Sequence, residues 1–400
     1  MPTAKKSIYS LHFVMLCLSS LFFASSFTMI IPELPAYLSS LGGAQYKGLI
    51  VSLFTLTAAV SRPLGGKLTD LVGRVPMMTI GSAVCLICAF FYPIFSSVFG
   101  FFFLRLLHGF STGFRPVAAL AYAADSTPSD RWGEALSLHG LSFSLGICLG
   151  PSAGGALTKA YGMDIMFHCS ALLALLSTVI VMNLKETLAV KEKFTKSMLY
   201  MRRSDIIYAA AVPAGIITFF SYTAHGLIYT LIPDWSAHLG IQNKGFFFTV
   251  FSGASIMVRY TAGKISDRKG RTNVIMAGLI IKAAGLLIIS AGQDVTILLA
   301  GAAVYGTGAG LISSAVGAWT IELSEPRFRG KAIATMYICM ELGIGLGALL
   351  GGMYYKGEIM RIPEIIRFDI LVVLLGILYI ISLKKFKNKN QFIKFNGKNN

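Results

Sequence analysis

Charged side chains are what this chain lacks. They make up 13% of its 400 residues, about half the roughly 25% of a soluble domain. Apolar residues reach 55% and mean hydropathy is +0.69, so the shortage excludes a water-facing globule of this size. Acids are the rarer sign, with 18 Asp and Glu against 35 Lys and Arg. Cysteine is sparse too, and the six (Cys17, Cys85, Cys88, Cys148, Cys169, Cys339) all fall in apolar runs. Cys85 and Cys88 make a CxxC without a His or Cys nearby, which favours packing over a metal site. The six His are scattered. No HExxH helix, nucleophile elbow or P-loop is present, so neither a membrane enzyme nor an ATP-driven pump is indicated. No cofactor and no metal are expected. Asn-x-Ser/Thr sequons are absent and the loops are short, which fits a bacterial cytoplasmic (inner) membrane.

What remains is one apolar run after another. Runs of about 18 residues or more predict twelve spans between positions 9 and 383, among them 9–32, 46–65, 99–124, 133–157, 245–263, 273–291, 331–355 and 366–383. An even number puts both termini on one side. Lys and Arg concentrate at the N-terminus, in the even-numbered loops and in the C-terminal tail. The odd-numbered loops hold six (Lys47, Lys159, Lys244, Lys356, Arg361, Arg367). The positive-inside rule then places both termini in the cytoplasm. The net charge of +17 is thereby a topology signal, and a nucleic-acid surface is set aside. The first run follows Lys5 and Lys6, yet it is too long for a signal-peptide core and lacks a cleavage site, so it reads as a retained helix.

One phrase occurs twice. GGKLTDLVGRV at 65–75 returns as AGKISDRKGRT at 262–272, so that Gly66, Lys67, Asp70, Gly73 and Arg74 recur 197 residues later as Gly263, Lys264, Asp267, Gly270 and Arg271. The same offset carries Gly48 to Gly245, Arg62 to Arg259, Gly109 to Gly306, Asp125 to Glu322 and Gly150 to Gly347. The prediction is an all-α membrane protein whose twelve transmembrane helices form two parallel six-helix pseudo-repeats. The halves are 1–184 and 206–383, joined by a cytoplasmic linker at 185–205 and followed by a basic tail at 384–400. Parallel repeats of this kind place a small-molecule site between the halves near the bilayer midplane. Both sides of that site lie in one chain, so a monomer is expected to suffice.

At the repeated loop the chain resembles the major facilitator superfamily. Its loop 2–3 signature, G-x-L-x-D-x-x-G-R, is met by GKLTDLVGR, with GKISDRKGR as a weaker second copy. The resemblance implies that Gly66 and Asp70 touch the cytoplasmic end of the eleventh span and latch the outward-facing state. The residues themselves allow Asp70 and Asp267 to favour a helix start, Gly73 and Gly270 to permit the turn, and Arg74 and Arg271 to hold a carboxylate. The loops AADSTPSDRWGEA and TIELSEPRFRGKA resemble the family's loop 4–5 pattern, which adds Asp125, Arg131, Glu322 and Arg329 to the cytoplasmic gate. Span 5 reads GICLGPSAGG, and its Gly146, Gly150, Gly154 and Gly155 form a flat packing stripe that Pro151 kinks. That segment resembles the signature of the family's antiporters, which implies export.

Charges inside spans complete the picture. Arg105 and Gly109 match the family's span-4 R-x-x-x-G, an Arg linked there to proton transfer, with His108 in place of the usual Gln. A charge at the bilayer centre costs roughly 2.5–3.5 kcal/mol, so Arg115 is expected either to face the cavity, favouring an anionic group, or to pair with an acid. Lys282 in span 9 reads as a snorkelling or buried-pair residue. The deep acids are Glu33, near the outer end of span 1, and Glu341 in span 11. Glu341 stands about 200° from Gly343 on a helical wheel, which turns it to the cavity if the glycine packs; an ion pair with an Arg is the competing role. Together these readings predict a proton-coupled exporter of a small amphipathic drug or metabolite. A proton symporter importing a small anionic metabolite is the alternative, favoured by Arg105 and Arg115.

Overall fold

The computed structural model describes residues 10–127, 132–188, 190–201, 206–325 and 329–396, and every regular element in them is helical. The first half contains α1 (Leu11–Met29), a short α2 (Leu34–Ser40), α3 (Lys47–Leu71), α4 (Arg74–Phe91), α5 (Val98–Asp125), α6 (Trp132–Tyr161) and α7 (Met163–Met182). The second contains α8 (Val212–His238), α9 (Phe246–Lys269), α10 (Arg271–Ala291), α11 (Val295–Glu322), α12 (Arg329–Tyr355) and α13 (Ile362–Asn396). Ten helical segments among the described residues are long and apolar enough to cross a bilayer. The two remaining long helices are α5 and α9, of 28 and 24 residues. Arg105 and Arg115 interrupt the first, and Arg259 closes the apolar stretch of the second.

Local chemistry fixes where these helices start. Ser10, Ser97 and Asp294 accept from backbone N–H groups of the first turns of α1, α5 and α11, meeting donors that have no partner within the helix. Gly73 and Gly270 make the tight turns of the repeated loop with φ of 138° and 85°, a region that disfavours any side chain.

The halves repeat each other's packing. α1 lies on α6, α3 on α5, and α4 on α5 and α7; correspondingly α8 lies on α12, α9 on α11, and α10 on α11 and α13. Close approach depends on glycine at equivalent places. A Cβ on Gly109 would strike the Phe54 carbonyl, and one on Gly306 the Phe251 carbonyl. Between halves, α3 packs on α12 and α6 on α9. The bundle therefore has one end carrying Asp70 and Asp267 and an opposite end carrying Lys47 and Lys244.

Candidate functional site

At the Lys47 end the halves are bonded together. Lys47 of α3 pairs with Asp234 of α8, whose carboxylate also accepts from the Tyr355 hydroxyl at 2.8 Å. Lys244, just before α9, pairs with Glu33, between α1 and α2, at 3.3 Å. Both pairs cross between halves, and the two lysines are equivalent under the 197-residue offset. Burial pushes the Glu33 carboxyl up from its ordinary range and Lys244 opposes that.

Glycine seams flank the ion pairs. A Cβ on Gly48 would meet the backbone of Ala348 and Gly352 in α12, and one on Gly245 would run into the Pro151 carbonyl of α6. The span-5 glycines thus divide in two. Gly146, Gly150 and Gly154 press on α1, while Gly155, beside Pro151, faces Asn243 of the other half. In α12 the pattern repeats, with Gly343 and Gly347 on α8 and Gly352 against Gly48.

Midway along, Arg62 of α3 pairs with Glu341 of α12, and both are buried. The guanidinium also lies 4.8 Å from the Tyr337 ring centre, and its Nε finds no hydrogen-bond partner. Its equivalent, Arg259 of α9, donates from Nη1 to Ser144 Oγ of α6 at 3.3 Å. Ser144 in turn occupies the place that Glu341 holds in the other half. Between these two crossings and the Lys47 end is a small cleft lined by Thr28, Ile147, Pro151, Tyr229, Phe251 and Ser252 among others.

The opposite end makes no such bridge among the described residues. Arg74 pairs with Asp70 at 3.3 Å and Asp125 at 3.0 Å. Arg271 likewise pairs with Asp267 at 2.5 Å and Glu322 at 2.7 Å. Each cluster stays within its own half. The Asp70 and Asp267 side chains remain 73% and 61% exposed. A Cβ on Gly66 would meet only Val117, and one on Gly263 nothing. Among the described residues, Gly66 and Asp70 make no contact with the eleventh span. Arg131 and the side chain of Arg329 lie outside the described residues.

A family model described as the Major Facilitator Superfamily matches residues 16–212 and 214–393. The chain belongs to this superfamily. Among its relatives are a multidrug-resistance efflux pump, the PmrA homolog of Lactococcus lactis, 25% identical over 93% of this chain and 95% of that one, and the multidrug resistance protein MdtG of Escherichia fergusonii, 26% identical over 82% and 83%. The crystal structure of the human organic anion transporter MFSD10 superposes with a TM-score of 0.72 at 19% identity, covering 92% of this chain and 98% of that one; at that identity the likeness is one of fold.

Within this facilitator fold the remaining intramembrane charges lie inside the halves. Arg105 donates to the Ile50 carbonyl at 2.7 Å and stacks 4.6 Å from the Phe54 ring centre. His108 reaches Cys85 Sγ at 3.3 Å and Tyr92 at 3.4 Å. Arg115 is fully buried in a cage of hydroxyls from Ser19, Ser20, Ser82 and Ser177; among the described residues no acid pairs with it, and it does not face the cavity. Lys282 donates to the Ser221 carbonyl and hydroxyl and to His225. Sequence reasoning missed Asp369 of α13, which is 4% exposed and has Oδ2 unpartnered among the described residues. It also missed Asp234, whose position near a span end resembled an ordinary interfacial acid, and Ser144, which the offset from Glu341 does point to.

Proposed function

We propose that this protein is a secondary transporter that exports small amphipathic molecules in exchange for protons, by alternating access between its halves. The observation that carries the reading is the asymmetry of the two ends. Two equivalent ion pairs and two glycine seams close the Lys47 end, while the duplicated loops at the Asp70 end bond only within their halves. The excess of Lys and Arg on the Asp70 side supports placing it in the cytoplasm, which makes this the state that loads substrate from inside. In the alternate state the Lys47 and Lys244 bridges part, and Gly66 and Asp70 close on α12. The named function of the efflux relatives and the glycine face of α6 support the outward direction.

Glu341 is the acid best placed to couple the proton. It is buried at the crossing of α3 and α12, and its partner Arg62 belongs to the other half. Protonating the carboxylate removes one charge of that pair and releases the arginine, which ties proton binding to separation of the halves. Asp70, Arg74, Asp267 and Arg271 act as the cytoplasmic latch, with Asp125 and Glu322 as their anchors. The protein works as a monomer in a bacterial inner membrane, with both termini in the cytoplasm.

The test is accumulation of the neutral dye N-phenylnaphthylamine by efflux-deficient cells making this protein, with and without a protonophore. Lowered accumulation that the protonophore restores is expected, and Glu341→Gln should abolish that proton-driven component at unchanged protein level. Lowered accumulation insensitive to the protonophore would remove proton exchange from the reading, and dye uptake in its place would reverse the direction.

A further inference from the structure

The pseudo-twofold axis relates two arginine crossings that differ in one residue. Arg62 meets Glu341, and Arg259 meets Ser144. Where the first guanidinium is neutralised by a carboxylate, the second has a hydroxyl and no acidic partner among the described residues. Four acids on the inner faces are already engaged or remote. Glu33 is held by Lys244, Asp234 by Lys47 and Glu341 by Arg62, and Asp369 is buried in α13 of the second half.

Arg259 is exposed, whereas Arg62 is buried. Its surroundings place that exposure on the cavity side. It crosses to α6 of the other half through Ser144. Ser252 lies seven residues earlier, two turns along the same face of α9, and it lines the pocket. Ser144 likewise stands three residues from Ile147, another pocket residue. A cation without an acidic partner among the described residues thus lies two turns along α9 from a cleft whose walls include Ile147, Pro151, Tyr229 and Phe251.

We infer that the transported molecule is an amphipathic anion, its apolar body along the α6 and α9 side chains that wall this cleft and its carboxylate or sulfonate on Arg259. A guanidinium in this partly dehydrated place forms charge-assisted, two-pronged hydrogen bonds to such a group. It also disfavours amines of the same shape. Ser144 keeps the arginine oriented without consuming its charge. The inference names the substrate class of the exporter proposed above and rests on that reading for its direction, not for its binding step.

Binding can be read without transport. The purified protein in lipid nanodiscs is heated with phenylbutyrate, phenylbutanol or phenylbutylamine, which share one apolar body, and ligand affinity is taken from the rise in melting temperature. The carboxylate is expected to bind tightest. Arg259→Gln should weaken it by about tenfold or more and leave the alcohol unchanged. Ser144→Glu supplies the missing acid, keeps the arginine intact, and should erase the carboxylate preference even if the arginine variant folds poorly. Equal binding of all three probes, or unchanged carboxylate affinity in Ser144→Glu, would overturn the inference. Proton-driven N-phenylnaphthylamine export alongside that result would sink the anion site alone. Carboxylate binding without proton-driven efflux would sink the exporter reading and leave the site standing.

Discussion

Gly48→Ala isolates the seam that closes the Lys47 end. A Cβ there would come to 2.7 Å from the Ala348 carbonyl oxygen and 3.0 Å from the Gly352 Cα. Both are backbone atoms, so no rotamer change relieves the overlap and α3 must part from α12. Overpacking a tight contact costs about 1–3 kcal/mol. The gain in helix propensity on losing a glycine, about 1 kcal/mol, belongs to α3 in either conformation and cancels from the balance between them. A bias of that size shifts a two-state equilibrium about 5- to 150-fold, here away from closure at this end. Spin-label pairs on a cysteine-free background read the shift, one at Gln45 and Lys356 across the Lys47 end and one at Lys185 and Lys269 across the other; all four positions are exposed. The first distance should lengthen and the second shorten. Gly140→Ala, where a Cβ meets nothing within 4 Å, should move neither. Unchanged distances in Gly48→Ala would refute the claim that backbone contact at this seam sets the balance.

Three further outcomes follow from the same geometry. Lys47→Asp and Asp234→Lys should each lengthen the Gln45–Lys356 distance, and the double exchange should restore it; a swap that behaves like the singles would show that the pair's orientation, and not its charge, matters. Glu186 accepts from the backbone N–H groups of Arg74, Val75, Thr187 and Leu188. Burial raises its pKa, but those four bonds outweigh it and the net is lowered below the ordinary 4.5. Its stabilisation is therefore present above that value and lost as pH falls through the lowered one. Glu186→Gln should cost about 1 kcal/mol near neutral pH, with the melting gap closing below about pH 4.5; a gap independent of pH would deny the carboxylate this role. Asp369 and Lys282 are both buried on helices that pack on each other, so Asp369→Asn should lower thermal stability by about 1–3 kcal/mol, with Lys282→Met in the same chain recovering part of it. No recovery would show that the two charges are uncoupled.

The spans and the duplication were legible because each is written over many residues. An apolar run tolerates single exceptions, and an offset of 197 is repeated at a dozen positions. Individual partners were not. Lys47 and Lys244 correspond under the offset, but Asp234 and Glu33 reach them across the interface from 187 and 211 residues away, and no local pattern encodes such a pairing. Asp369 was hidden by the blurred edge of the last span. With a run beginning at 366 it looks interfacial, yet α13 starts at Ile362, which sets the acid two turns inside. Arg115 escaped for a different reason. Its neighbours Ser19, Ser20, Ser82 and Ser177 come from three other helices, and serine in an apolar run carries no sign of the charge it serves.

The two loop clusters at the Asp70 end have a consequence for turnover. Arg74 and Arg271 each hold two carboxylates of their own half, so parting the halves there strands no ion. An ion abandoned in a poorly hydrated cleft costs several kcal/mol, enough to make the sealed form a trap. Here the clasp, when undone, is parked on its own side. Both conformations can then lie within a few kcal/mol of each other, so a substrate's weak grip is sufficient to tip the rocker.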